Sequence, residues 1–186
     1  MRTVIARIFD YSADGVIAEE DTDFFQFCRD LPDDSAQEAR TRRLYQGADL
    51  HIMGRNLYQG ASSYFPTATD HPYADLLNIG RKIVFSQTLA DAGWNNSEVT
   101  RGDLGREVER LKQDGTGPIL AHGGFSFWQS LIHLDLIDEY RLTVFPCVVG
   151  PGRRLFADLE KSRPLELVSS TAFANGCVEL EYRRPR

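Results

Sequence analysis

The chain has 186 residues, 42% of them apolar and 26% charged, enough to bury a core as a single domain, 1–186, without disulfide staples. A net charge of −6 lacks the basic excess of a nucleic-acid binder. No apolar run approaches the ~18 residues of a membrane span; the N-terminal run is too short for a signal peptide.

Cys28, Cys147 and Cys177 are far apart and show neither C-x-x-C nor zinc-finger spacing. The expectation is a cytoplasmic protein with three free thiols and no metal site.

In chain order, residues 3–9, TVIARIF, are short, apolar and β-branched and predict a first strand. SADG at 12–15 is turn chemistry. Residues 22–30 predict a short helix led by Thr22 or Asp23. After the breaker PDDS, Ser35 and Glu38 fit a capping box, and the helix should run to Gln46 with Gly47 just past its end. ADLHIM is the next strand, and a short helix follows the Gly54-Arg55 turn.

Residues 61–80 read as irregular, and RKIVFS at 81–86 as a strand. Leu104, Val108 and Leu111 keep helical spacing over 102–115, with Gly115 as a stop. GPILAHGG at 117–124 is a strand ending in two glycines, and an amphipathic helix follows over 125–137. A long strand over 138–150 is interrupted by Pro146, and Asn175-Gly176 between alternating runs signals a hairpin. Strands alternating with helices predict an α/β fold: a mainly parallel central sheet, helices on both faces, and a C-terminal antiparallel hairpin.

Three strand ends carry the chemistry. Met53 precedes Gly54-Arg55, Phe85 precedes Ser86, and Ala121-His122 precedes Gly123-Gly124. Ligands of open α/β sheets bind outside the carboxyl ends of strands, where helix N-termini offer free N–H groups. Glycine allows close backbone approach, arginine adds a forked charged donor and serine a hydroxyl. The combination predicts an anion pocket. No G-x-G-x-x-G follows the first strand and no P-loop motif occurs, which speaks against a Rossmann site and a P-loop kinase.

LHIMGRNLYQG, KIVFSQTL, ILAHGGFSFWQSLI and DEYRLTVFPCVVGPGRRLF occur in this order. Together they resemble the dihydrofolate-reductase-like superfamily, and within it the C-terminal reductase domain of riboflavin-biosynthesis deaminase-reductases. The resemblance covers nearly the whole chain and implies a three-layer dihydrofolate-reductase-like fold with NADPH as cofactor.

It places Gly54 and Arg55 at the cofactor phosphates, Arg55 near the 2′-phosphate, with Ser86 assisting. Gly123, Gly124, Phe125 and Ser126 fall at the pyrophosphate, and Ile17 beside the nicotinamide. A cis Gly123–Gly124 peptide is also implied. The implied reaction is hydride transfer to a pyrimidine- or pterin-like heterocycle, as in 5-amino-6-(5-phosphoribosylamino)uracil reductase. The alternatives are dihydrofolate reductase proper and a non-catalytic nucleotide-binding protein that kept the fold.

The catalytic group is left open. Asp14 in the SADG loop is either a functional carboxylate or a plain turn residue. Asp23 and Asp30 do not map cleanly onto the carboxylate that dihydrofolate reductase carries on its first helix. His122 reads as a strand residue, Tyr58 as packing, and His51, His71 and His133 lack an identifiable partner. Arg153-Arg154 is a candidate sugar-phosphate cluster or a solvated pair. The H-x-E and P-C-x-x-C motifs of a deaminase are absent from the sequence. Apolar positions at Val144, Leu167, Val178 and Leu180, together with the resemblance, predict a homodimer.

Overall fold

The computed structural model describes residues 1–185. The elements run β1 (Val4–Ser12), α1 (Asp23–Asp30), α2 (Ser35–Gln46), β2 (Leu50–Gly54), α3 (Arg55–Tyr64), α4 (Ala74–Ile79) and β3 (Lys82–Phe85). They continue with β4 (Ser97–Thr100), α5 (Leu104–Gln113), β5 (Ile119–Ala121), α6 (Phe125–His133), β6 (Glu139–Phe145), β7 (Glu166–Ala172) and β8 (Val178–Arg183). Eight strands form one sheet in the order β4-β3-β2-β5-β1-β6-β8-β7. The first six positions of that order are joined in parallel, and β8 pairs antiparallel with both β6 and β7.

Alternation along β1 divides the core. Val4, Ala6 and Ile8 join Val108 and Leu111 of α5 and Leu131 and Ile132 of α6 in one apolar layer. On the other face Ile5 joins Leu44 and Tyr45 of α2, Tyr58 of α3 and Leu77 of α4. A smaller cluster closes the end of the sheet, where Phe24 of α1 meets Phe145 and Phe173. The result is the expected α/β sandwich of helix, sheet and helix.

Four local readings change. The cap of α2 is Asp34, not Ser35: its carboxylate accepts from the Ala36 and Gln37 N–H groups, so the capping box is one residue out of register. The stretch 61–80 is not wholly irregular, because α4 packs Ala74 and Leu77 into the core. A sixth parallel strand, β4, adds to β3 although its sequence SEVT is too short and polar to announce one. Finally, β6 stops at Phe145, immediately before Pro146, which has no N–H for a ladder.

The Asn175-Gly176 hairpin forms as expected, with Gly176 at φ +88° and Phe173 N–H donating to the Cys177 carbonyl at 2.9 Å.

Leu111 is fully buried, whereas Leu134 is 53% exposed. Leu111→Ala should therefore cost about 2–5 kcal/mol, and Leu134→Ala no more than about 0.5 kcal/mol. Urea denaturation checks this as a fall in midpoint at unchanged slope for the first variant alone.

Candidate functional site

Strands β2 and β5 end side by side, and a helix leaves each end at once. Gly54 caps α3 and Gly124 caps α6, neither with a side-chain hydrogen bond. By contrast α1, α2 and α5 begin on the side chains of Thr22, Asp34 and Asp103. The free N–H groups of α3 and α6 therefore remain available to a ligand. Both helix starts open on one cleft of about 370 Å³.

Glycine geometry brings them there. The Gly54 N–H donates to the Gly123 carbonyl at 3.0 Å. A Cβ on Gly54 would lie 3.1 Å from the Phe127 Cβ. Gly123 has φ +92°, and a Cβ there would strike the Trp128 indole at 2.7 Å. The Trp128 indole is held in turn by its N–H bond to the Ala121 carbonyl at 3.1 Å. A Cβ on Gly124 would meet nothing within 4 Å, so its outer face is open. The Gly123–Gly124 peptide is cis, as the resemblance implied.

Of the eight residues expected at a cofactor, Gly54, Arg55, Gly124, Phe125 and Ser126 line this cleft. Gly123 lies behind it, buried under Trp128. The exposed Arg55 donates to the Thr88 hydroxyl at 2.7 Å. Ser86 accepts from the Thr88 and Leu89 N–H groups at 3.2 and 2.9 Å and so shapes the loop that carries Thr88. Ile17 is 7% exposed and belongs to the main core.

Arg153, expected with Arg154 as a sugar-phosphate cluster or a solvated pair, lines this same cleft. Its guanidinium lies 3.7 Å from the centre of the Phe125 ring, and it pairs with Glu19 at 3.1 Å. A backbone bridge brings it there, because the Ile17 N–H donates to the Arg153 carbonyl at 3.0 Å. Arg154 turns instead to the Asp14 carbonyl and the Gly150 carbonyl. The adjacent arginines thus part, which a sequence pattern cannot reveal.

Asp14 accepts from the Ser12 hydroxyl at 2.7 Å and from the Val149 and Gly150 N–H groups at 3.0 and 2.8 Å. Those donors, the Val149 N–H foremost, hold its carboxyl at about 2 instead of 3.8. Asp23 and Asp30 are both exposed on α1.

Behind β5 lies a polar cluster that also escaped the sequence. His51 Nδ1 and His122 Nε2 are 2.7 Å apart, and Tyr45 stacks on His122 with centroids 5.2 Å apart. Burial, followed by the charge of Lys82, pushes His51 down to about 4. Burial and then His51 push His122 well below its ordinary value. Both rings are therefore neutral near pH 7. Lys82 is fully buried, donating to the Leu77 and Gly80 carbonyls at 2.7 and 2.6 Å, and so ties off the end of α4. His51 and His122 do have partners, each other, across 71 residues of sequence.

Among the described residues no helix is long and apolar enough to cross a membrane, and no cluster of potential metal ligands occurs.

The chain resembles known proteins in sequence and in fold. The chain is 30% identical over 138 residues to the Bacillus subtilis protein YyaP, covering 72% of this chain and 73% of that one. A putative riboflavin biosynthesis protein from Shewanella sp. PV-4 superposes with a TM-score of 0.79 at 25% identity, covering 99% of both chains. A Thermotoga maritima diaminohydroxyphosphoribosylaminopyrimidine deaminase/5-amino-6-(5-phosphoribosylamino)uracil reductase shares the fold at TM-score 0.68 and 14% identity, covering 99% of this chain and 57% of that one.

Dihydrofolate reductase from Enterococcus faecalis, complexed with NADP(H), shares it at TM-score 0.63 and 14% identity, covering 99% of this chain and 97% of that one. The fold is therefore dihydrofolate-reductase-like. The RibD C-terminal domain family matches residues 2–178, nearly the full length, and the chain belongs to that family.

Proposed function

We propose that the protein is an NADPH-dependent reductase that delivers a hydride to a pyrimidine- or pterin-like heterocycle. The carrying observation is the pair of helix starts, α3 and α6, left without side-chain caps and opening on one cleft beside Arg55 and Arg153. Two helix N-termini suit a pyrophosphate, because each offers unpaired N–H groups and a partial positive charge. The open face of Gly124 gives the room such a group needs.

When bound, NADPH supplies the hydride. The chain's own residues bind and orient. The Arg55 guanidinium is exposed and held toward the cleft by Thr88, where it favours a further phosphate. Ser86 supports that loop through its two backbone contacts. Arg153, spread on Phe125, covers the α6 side. Ile17 stands on the loop that Asp14 clamps to Val149 and Gly150. In this reading Asp14 is a positioning residue rather than an acid, since its donors keep it ionised at neutral pH. Homodimer pairing at the β7 edge belongs to the same proposal, supported by Leu167 and Val168 at 57% and 48% exposure.

NADPH at about 100 times its dissociation constant should stabilise the fold by about 2.7 kcal/mol. In a thermal-shift titration the shift should be smaller with NADH and strongly reduced for Arg55→Ala. Equal shifts with the two nucleotides, unaffected by Arg55→Ala, would contradict the assignment.

The Asp14 clamp predicts a pH dependence. A carboxyl lowered on folding stabilises the protein above its unfolded value near 3.8, and the effect disappears as pH falls through about 2. Asp14→Asn should therefore melt below wild type at pH 7. The gap should close between about pH 4 and pH 2, as read by circular dichroism.

A further inference from the structure

Arg153 and Arg154 are neighbours in the chain and are fastened in opposite ways. The Arg154 guanidinium donates to the Asp14 and Gly150 carbonyls and lies 3.8 Å from the Asp14 carboxylate, so the fold holds it on several sides. The Arg153 side chain makes a single hydrogen bond among the described residues, from Nη1 to the Glu19 carboxylate at 3.1 Å. Both side chains of that pair are about half exposed, 47% and 44%. The backbone of Arg153 does not share this looseness. Its carbonyl takes the Ile17 N–H at 3.0 Å, and Arg154 forms a backbone bridge with Val16. A Cβ on Gly152 would lie 2.3 Å from the Val16 Cγ1, so the two segments are in close contact. The side chain is therefore a movable arm on a fixed mount.

The arm lies over the start of α6. Its guanidinium carbon is 3.7 Å from the centre of the ring of Phe125, the first residue of that helix, and the helix start has no side-chain cap. Arg153 lines the same cleft as Arg55, Gly124 and Ser126. Its charge adds to the partial positive charge of the helix start. Its Nε and Nη2 donors hydrogen-bond to none of the described residues and can serve a second acceptor.

Acids stand across the pair. Glu19, Glu20 and Asp21 are consecutive and exposed on the segment that leads into α1. Among the described residues their one salt bridge is the one to Arg153. Magnitudes decide which partner Arg153 takes. An exposed arginine–carboxylate pair contributes little, because water screens both charges. A diphosphate carries more charge, offers several oxygens to a planar fork, and lies against a helix start that already favours anions. The balance favours the diphosphate.

We propose that Glu19 and the diphosphate of the dinucleotide compete for Arg153, so that the Arg153–Glu19 ion pair is a latch exchanged on binding. Arg153 is then a diphosphate ligand, and Glu19 a positioning residue that lowers affinity by holding the arm aside. The exchange also couples the cleft to the loop that carries Ile17, two residues before Glu19 in the chain. The proposal rests on the dinucleotide reading of the cleft and says what sets the affinity there.

The test is isothermal titration of the full chain with three probes. NADPH is the first. The second is 2′-phospho-ADP-ribose, which keeps the diphosphate and lacks the nicotinamide. The third is adenosine 2′-monophosphate, which keeps the phosphate assigned to Arg55 and lacks the diphosphate. Glu19→Gln should bind the first two about threefold more tightly than wild type, the order expected from releasing an exposed pair, and the third unchanged. Arg153→Met should bind the first two about tenfold more weakly. In Arg153→Met, adding Glu19→Gln should gain less than about twofold, because no arm remains to be released. Glu20→Gln removes a neighbouring charge without touching the pair and should stay within about twofold of wild type. Without ligand every variant should melt within about 2 °C of wild type. A gain in affinity, moreover, cannot come from a damaged fold.

Unchanged affinity in Glu19→Gln, an equal gain with and without Arg153, or an equal gain from Glu20→Gln would overturn the competition. A gain shared by adenosine 2′-monophosphate would overturn the assignment of the arm to the diphosphate. If wild type and Glu19→Gln alike ignore NADPH and 2′-phospho-ADP-ribose, the dinucleotide reading itself falls, and this proposal with it.

Discussion

One backbone hydrogen bond, from the Gly54 N–H to the Gly123 carbonyl, holds the ends of β2 and β5 together. The rest of the site depends on it. It forms because neither residue has a Cβ: Phe127 fills the space at one and Trp128 the space at the other. With the strand ends locked, α3 and α6 start next to each other and open on one cleft. A side-chain cap at either start would satisfy the helix and spoil the site. Glycine caps cost each helix only about a few tenths of a kcal/mol relative to a side-chain cap, and the N–H groups they leave free are open to an anion.

The two faces of the sheet are built on different principles. Against α5 and α6 the packing is dry and apolar, from Val4 through Leu131. Against α2 it is charged toward β6 and β8, where Arg40 meets Glu179 and Glu181, and Arg141 meets Glu181 at 2.9 Å. Buried ion pairs add little net stability when every partner is satisfied. They do fix the position of α2, and with it Thr41 and Tyr45 around Arg7. The face that anchors the fold is thus separate from the face that carries Arg7.

The fold was largely legible because its strands are short, apolar and β-branched and its parallel order follows from alternation with helices. The first cleft was legible for a local reason: Gly54-Arg55 and Gly123-Gly124 are contiguous, and contiguous residues stay together in any fold. What stayed hidden depends on distance in sequence. His51 and His122 pair across 71 residues. Arg153 reaches the cleft through a bridge to Ile17. Arg7 reads as one polar position in an alternating strand, and its hydrogen-bond partner, the Thr41 hydroxyl, lies 34 residues further on. Strand β4 stayed hidden for another reason. Its pairing with β3 is made by backbone groups, and SEVT carries little hydrophobic signal. Asp34 displaced Ser35 as cap because its second oxygen also takes the Ala174 N–H at 2.8 Å, a contact that exists only once the hairpin has folded.

The most direct test of the central claim is a two-dimensional amide NMR titration with NADPH. The account predicts that the largest shifts fall on the N–H groups of residues 54–57 and 124–127, the first turns of α3 and α6. Residues 103–106, at the capped start of α5, should stay still. Shifts centred on α5, or absent from both uncapped helix starts at saturating NADPH, would contradict it.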